Sequence, residues 1–237
     1  MIEHFLKVTL PRHYGLNPDD IEVPAETKSR PFTCVDEKAC REALASGGGK
    51  EDGFNKLRDV CMGCDKVVLT VDNGGREIRV VRLEEYIKQL PTKATFGKGR
   101  CDLLMSDGVP HNKIVFCDLC CYDEKYIEPN GSVKMPEGKR ARARRQMEES
   151  IEFFLRADNP VVTQYILTYP TKVCLFAYRS YDSVQQPTKA QRGNVETSMQ
   201  AMLTTPSSVS GQVTTENRIM DHRFIFVQNK YPNVYDW

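Results

Sequence analysis

Two aspartates lie in the segment RCDLLMSDGVPHNKIVFCDLCC, residues 100–121, each inside a short apolar run of strand-forming residues. Side chains alternate along a strand, so Ile114, Phe116, Asp118 and Cys120 share one face, and Val115, Cys117 and Leu119 the other. A hairpin turning about residue 110 sets Asp102 opposite Asp118, with Cβ atoms ~5 Å apart. Carboxylates that close repel unless a cation lies between them or one takes a proton. Magnesium suits such a pair, because it takes hard oxygen ligands and keeps several waters. There it would activate a water and neutralise charge on a phosphate in transit. The spacing equally allows two unrelated aspartates, Asp102 paired with Lys98 or Arg100 and Asp118 with a partner elsewhere.

The cysteines offer a second chemistry. Cys61 and Cys64 in CMGC, with Cys117 and Cys120 in CDLC, form a CxxC…CxxC pair of the kind that binds zinc tetrahedrally. Only the first pair carries the glycine of a knuckle. Residues three apart on a strand point to opposite faces, so a shared zinc requires the second strand to end near Asp118. The alternative is a set of buried free thiols; Cys34, Cys40, Cys101 and Cys174 show no ligand spacing.

A third feature is cationic. Lys139, Arg140, Arg142, Arg144 and Arg145 crowd the start of a helical stretch, where positive charge opposes the helix dipole. Phosphate recognition would explain them, since arginine forks match phosphate oxygens. So would a solvated face balanced by Glu148, Glu149 and Glu152 through i,i+4 pairs. The four histidines show no ligand spacing, and no phosphate-binding glycine loop or GxSxG elbow is present.

The elements that must position these groups follow from periodicity. FLKVTL (5–10) reads as a strand ended by Pro11. Helices are expected over about 36–46 and 53–61. KVVLTVDNGGREIRVVRL reads as a β-hairpin about Asn73-Gly74-Gly75, and LEEYIKQL as a helical turn. Strands 101–106 and 113–119 make a second hairpin. Met147, Ile151, Phe154 and Leu155 define the apolar face of a helix over 139–156, stopped by Asp158-Asn159-Pro160. VVTQYILTY and KVCLFAYRSY read as strands around Pro170. Residues 181–217 are expected to form a long mobile polar loop, with a short helix over 195–203. HRFIFVQ is a last strand, and the tail YPNVYDW is expected to dock on the body. The fold class is α/β or α+β, a central mixed sheet flanked by helices.

Strand with Asp, hairpin, KIVFCDLCC, then a basic helix ARARRQMEESIEFF with an early Gln: this order resembles the core of the PD-(D/E)xK nuclease superfamily, the restriction-endonuclease-like fold. That core runs helix, three strands, helix, strand. The resemblance covers roughly residues 50–178, with an N-terminal helical and strand extension over 1–49 and a polar loop plus final strand over 179–237, all one domain. It implies that Asp102 and Asp118 are the two acids and magnesium ligands, and that Gln146 matches a Gln often found on the following helix. The chain departs from the pattern where the family has its lysine, two residues after the second acid: Cys120 stands there. A thiol with a pKa near ~8.5 carries no positive charge, and it is a poor magnesium ligand. A replacement cation would have to come from Lys113, Lys125 or the basic helix.

The chain has 237 residues, 40% hydrophobic and 27% charged, with a net charge of +1. This is the composition of an ordinary globular protein, and it provides no overall field for nucleic acid or membrane. No apolar run approaches the ~20 residues needed to span a bilayer, and MIEHFLKVTLPRH does not read as a secretory signal. Nine cysteines in a chain this rich in core residues read as thiols rather than staples. The expected setting is reducing and cytoplasmic. The functions in view are a nucleic-acid-binding, magnesium-dependent nuclease; a catalytically inactive module of the same fold serving binding or assembly; and a small zinc-stabilised interaction protein. Oligomeric state is not legible.

Overall fold

The computed structural model describes residues 2–36, 57–58, 67–91, 100–108, 111–129, 136–155, 159–181, 212–214 and 222–237. The strands are β1 (Ala25–Lys28), β2 (Phe32–Val35), β3 (Leu57–Arg58), β4 (Val67–Asp72), β5 (Ile78–Arg82), β6 (Leu103–Asp107), β7 (Lys113–Asp123), β8 (Thr171–Tyr181), β9 (Gln212–Thr214), β10 (Phe224–Lys230) and β11 (Val234–Asp236). Helix α1 is a continuous N-terminal run of Ile2–His4, a π-helical Phe5–Thr9 and Leu10–His13; α2 is Leu83–Lys88, α3 Gly138–Leu155 and α4 Pro160–Leu167.

The architecture is mixed α/β. The larger sheet has the order β1-β5-β6-β7-β8-β10, with short β9 on its edge; the smaller is β11-β4-β2, with two-residue β3 beside it. In the larger sheet β5, β6 and β7 form an antiparallel run, then β8 lies parallel to β7 and β10 parallel to β8. The crossover from β7 to β8 passes through α3 and α4, because parallel neighbours need a long connection.

Alternation along the central strands separates two cores. Leu104, Ile114, Phe116, Cys174, Phe176 and Phe226 face the helices and pack with Leu6, Tyr86, Met147 and Phe154. Leu103, Met105, Val115, Cys117 and Leu175 face the smaller sheet and pack with Phe32, Cys34 and Leu69. On α3, Ala143, Met147, Ile151 and Phe154 are buried; each large apolar side chain removed from water contributes about 1.5–3 kcal/mol.

Several sequence expectations are corrected. Residues 5–10 are helical, not a strand: Ile2, Phe5, Leu6 and Leu10 are buried, a helical spacing that the alternation of Leu6, Val8 and Leu10 masked. VVTQYIL is helix α4, not a strand. Asn159 accepts a hydrogen bond from the Val161 N–H at 2.9 Å, and Pro160 occupies the first turn, so the Asn-Pro read as a stop for α3 also starts α4. β4 and β5 do not pair with each other. The Asn73-Gly74-Gly75 turn is present, with positive φ at both glycines, but it carries the chain from the smaller sheet to the larger. Within the expected helix 53–61, Leu57–Arg58 pairs as a strand with β2. Asp36 is non-helical. The rest of helices 36–46 and 53–61, the helix over 195–203 and most of the 181–217 loop lie outside the described residues.

The tail docks as expected. β11 pairs in parallel with β4, and the Lys113 ammonium lies over the Tyr235 and Trp237 rings, 4.7 and 5.0 Å from their centroids.

Candidate active site

β6 and β7 pair with Leu103 opposite Cys117 and Leu104 opposite Phe116. Asp102 precedes β6 by one residue and lies outside the paired register; continuing that register one step would set it opposite Asp118. Asp118 alternates with Phe116 and Cys120, so it belongs to the helix-facing side of the sheet, and it is 8% exposed. Asp102 is in a bend and half-buried. Its carbonyl accepts from the Leu83 N–H at 2.9 Å, and its Oδ2 accepts from the Leu119 N–H at 2.8 Å.

β7 extends well past the start of β6, so among the described residues its next outward N–H groups meet no strand and take side-chain acceptors instead. Asp102 satisfies Leu119, and Asp36, at the end of β2, satisfies Cys121 with Oδ2 at 3.0 Å. Two carboxylates therefore continue the hydrogen-bonding edge that β6 leaves open. Sequence reasoning missed Asp36 by placing it at the start of a helix; its position directly after the apolar strand FTCV was the available signal.

Gln146 lies on α3, where its Nε2 donates to the Arg100 carbonyl at 3.0 Å. One turn on, the Ser150 hydroxyl accepts from the Cys101 N–H at 3.0 Å and donates to the Gln146 carbonyl at 2.7 Å. These bonds fasten α3 to the two residues before Asp102. Gln146 thus anchors the chain entering β6.

The five cations of α3 are not equivalent. Arg140 pairs with Glu128 at 3.0 Å, Arg144 with Glu148 at 3.6 Å, and Arg145 bidentately with Glu137 at 2.6 and 2.7 Å. Arg142 is exposed. Lys139 turns toward the sheet, with its ammonium 4.0 Å from the centroid of Tyr122, which follows Asp118 and Cys120 on the same face of β7. Gly138 permits this approach. Its φ is +76°, and a Cβ there would lie 2.6 Å from the Glu128 carbonyl carbon.

The six described cysteines are buried and free. Burial pushes the Cys120 thiol up to about 12, against the lowering field of Lys139, so the thiol is neutral. Cys117 and Cys120 face different cores. β7 continues to Asp123, so the strand does not end near Asp118 as a shared zinc required. Cys61 and Cys64 lie outside the described residues. Among the described residues no group of three His, Cys, Asp or Glu is gathered as a metal cluster, and no helix is long and apolar enough to cross a membrane.

Comparison with protein-family models, with curated proteins and with solved structures found no match.

Proposed function

We propose that this chain is a nucleic-acid-binding protein of the restriction-endonuclease-like kind, with Asp102 and Asp118 as the carboxylates of a magnesium-dependent phosphodiester hydrolase. The observation that supports it is the β6–β7 pairing together with the hydrogen bond from the Leu119 N–H to Asp102, which holds that acid against the residue after Asp118, at the rim where α3 delivers Lys139. The order of elements supports it: three antiparallel strands, helices, then a strand parallel to the third. The fit departs from the family core at Cys120, which stands in place of the lysine, and at α2, which lies between the first two of those strands.

The donor chemistry suits magnesium, which needs only one or two carboxylates and completes its shell with water and substrate phosphate. Asp102 and Asp118 would hold it, and when bound it would lower the pKa of a water and neutralise phosphate charge. The chain's own groups do the rest. The Leu119 N–H fixes Asp102, Gln146 and Ser150 hold the segment that carries it, and the Lys139 ammonium supplies positive charge on the face where Cys120 supplies none.

The test is magnesium-dependent cleavage of end-labelled DNA and RNA by the wild type and by Asp118→Asn. Cleavage that needs magnesium and vanishes in the variant supports the proposal; cleavage surviving the substitution rejects the site. The neutral, buried Cys120 favours a second reading, a member of this fold that binds without cutting. A wild type that binds nucleic acid but cuts neither substrate selects it.

A further inference from the structure

β7, β8 and β10 are parallel and end at the same margin of the larger sheet, where α3 begins. Their registers align the side chains there. Asp118 lies beside Phe176, Cys120 beside Tyr178, and Tyr178 beside Lys230; Tyr122 follows Cys120 on β7. Going outward from the acid pair, the helix-facing side of the sheet thus presents Tyr178 on one strand and Tyr122 on its neighbour. The two are diagonal neighbours, ~8 Å apart at the backbone, and both rings are half-buried at the edge of the core.

Each ring carries a cation over it, and Tyr178 also stacks on Phe176 with ring centroids 5.0 Å apart. Lys139 lies 4.0 Å from the Tyr122 centroid and Lys230 6.0 Å from that of Tyr178. Arg140 pairs with Glu128 and Lys230 with Glu124, each glutamate exposed. Exposed ion pairs of this kind contribute only about 0–1 kcal/mol, so exchanging the glutamates for phosphates costs little.

Rings that carry an ammonium along a strand margin suit unpaired nucleotides: a base takes the ammonium's place over the ring while the ammonium passes to a backbone phosphate. Bases inside a duplex already have both faces stacked. We infer that Tyr122 and Tyr178, with Lys139 and Lys230, form a platform for single-stranded nucleic acid that leads a strand to the Asp102–Asp118 pair. This names the substrate class of the proposed hydrolytic site and rests on that proposal for the role of the acids.

The test is fluorescence anisotropy in EDTA, which separates binding from cleavage, with labelled oligo-dT, oligo-rU and a duplex of the same length. Tighter binding of either single strand than of the duplex, by roughly tenfold or more, is expected; the two single-strand arms distinguish DNA from RNA. Tyr122→Ala and Tyr178→Ala should each weaken it by about tenfold, while Tyr122→Phe and Tyr178→Phe retain it, showing that the ring and not the fold is lost. Equal or tighter binding of the duplex, no single-strand binding, or alanine variants that bind like wild type would each overturn the platform. Single-strand binding without magnesium-dependent cleavage sustains the platform and removes the hydrolytic proposal. Duplex cleavage without single-strand binding does the reverse.

Discussion

The carboxylate of Asp102 and the backbone N–H of Leu119 form a 2.8 Å hydrogen bond, and that bond holds an acid at the rim of β7 beside Asp118. It makes Asp102 a structural acceptor as well as a proposed ligand, and the two roles separate by substitution. Asp102→Asn keeps a side-chain oxygen for Leu119 and should stay near wild-type stability. Asp102→Ala leaves a buried N–H unsatisfied and should lose about 1–3 kcal/mol, read by urea denaturation. On the proposed function both variants lose cleavage.

Gln146 fastens α3 to the Arg100 carbonyl. Gln146→Leu removes the donor, so a loss of about 1 kcal/mol in unfolding free energy is expected. Since Gln146 acts on the chain carrying Asp102, the variant should retain residual cleavage where Asp118→Asn retains none. Equal loss in the two would place Gln146 at the reacting atoms instead.

Gly138 has φ +76° and backbone within 2.6 Å of where a Cβ would lie. Gly138→Ala combines a left-handed conformation with a clash against the Glu128–Pro129 backbone. It should destabilise by more than about 1 kcal/mol, measured as a fall in melting temperature. It should also displace Lys139 from Tyr122, visible as a change in tyrosine fluorescence of the folded variant.

Burial pushes the thiols of Cys34 and Cys120 up to about 12, whereas a thiol in the unfolded chain ionises near ~8.5. The folded state keeps protons that the unfolded state gives up. The stability these groups contribute is therefore complete below ~8.5 and is lost as pH rises toward about 12. The urea midpoint should fall steadily above ~8.5, and Cys120→Ala should flatten that fall. A midpoint that rises over this range contradicts the burial of neutral thiols.

The pairing of β6 with β7 was legible in the sequence, because a strand's period of two leaves little freedom of register. The long helix was legible too, since Met147, Ile151 and Phe154 repeat at its period. Pairing between distant segments was not. β4 and β5 flank a good turn yet enter different sheets, a choice set by which layer each strand buries rather than by the turn. Asp36 reaches the site only through the arrival of β2 from another layer. Lys139 reaches it only because a glycine lets α3 start tight against the Ile127–Pro129 segment. α1 and α4 were misread because short apolar runs fit both periods, and capping by Asn159 and Pro160 settled the second case.

The central claim is that Asp102 and Asp118 share one cation, and titration calorimetry with magnesium chloride tests it most directly. Wild-type protein should bind magnesium with a saturable heat that disappears in both Asp102→Asn and Asp118→Asn, each variant melting as a folded protein. Binding that persists unchanged in either variant, or no binding to the wild type in the presence or absence of oligonucleotide, would contradict it.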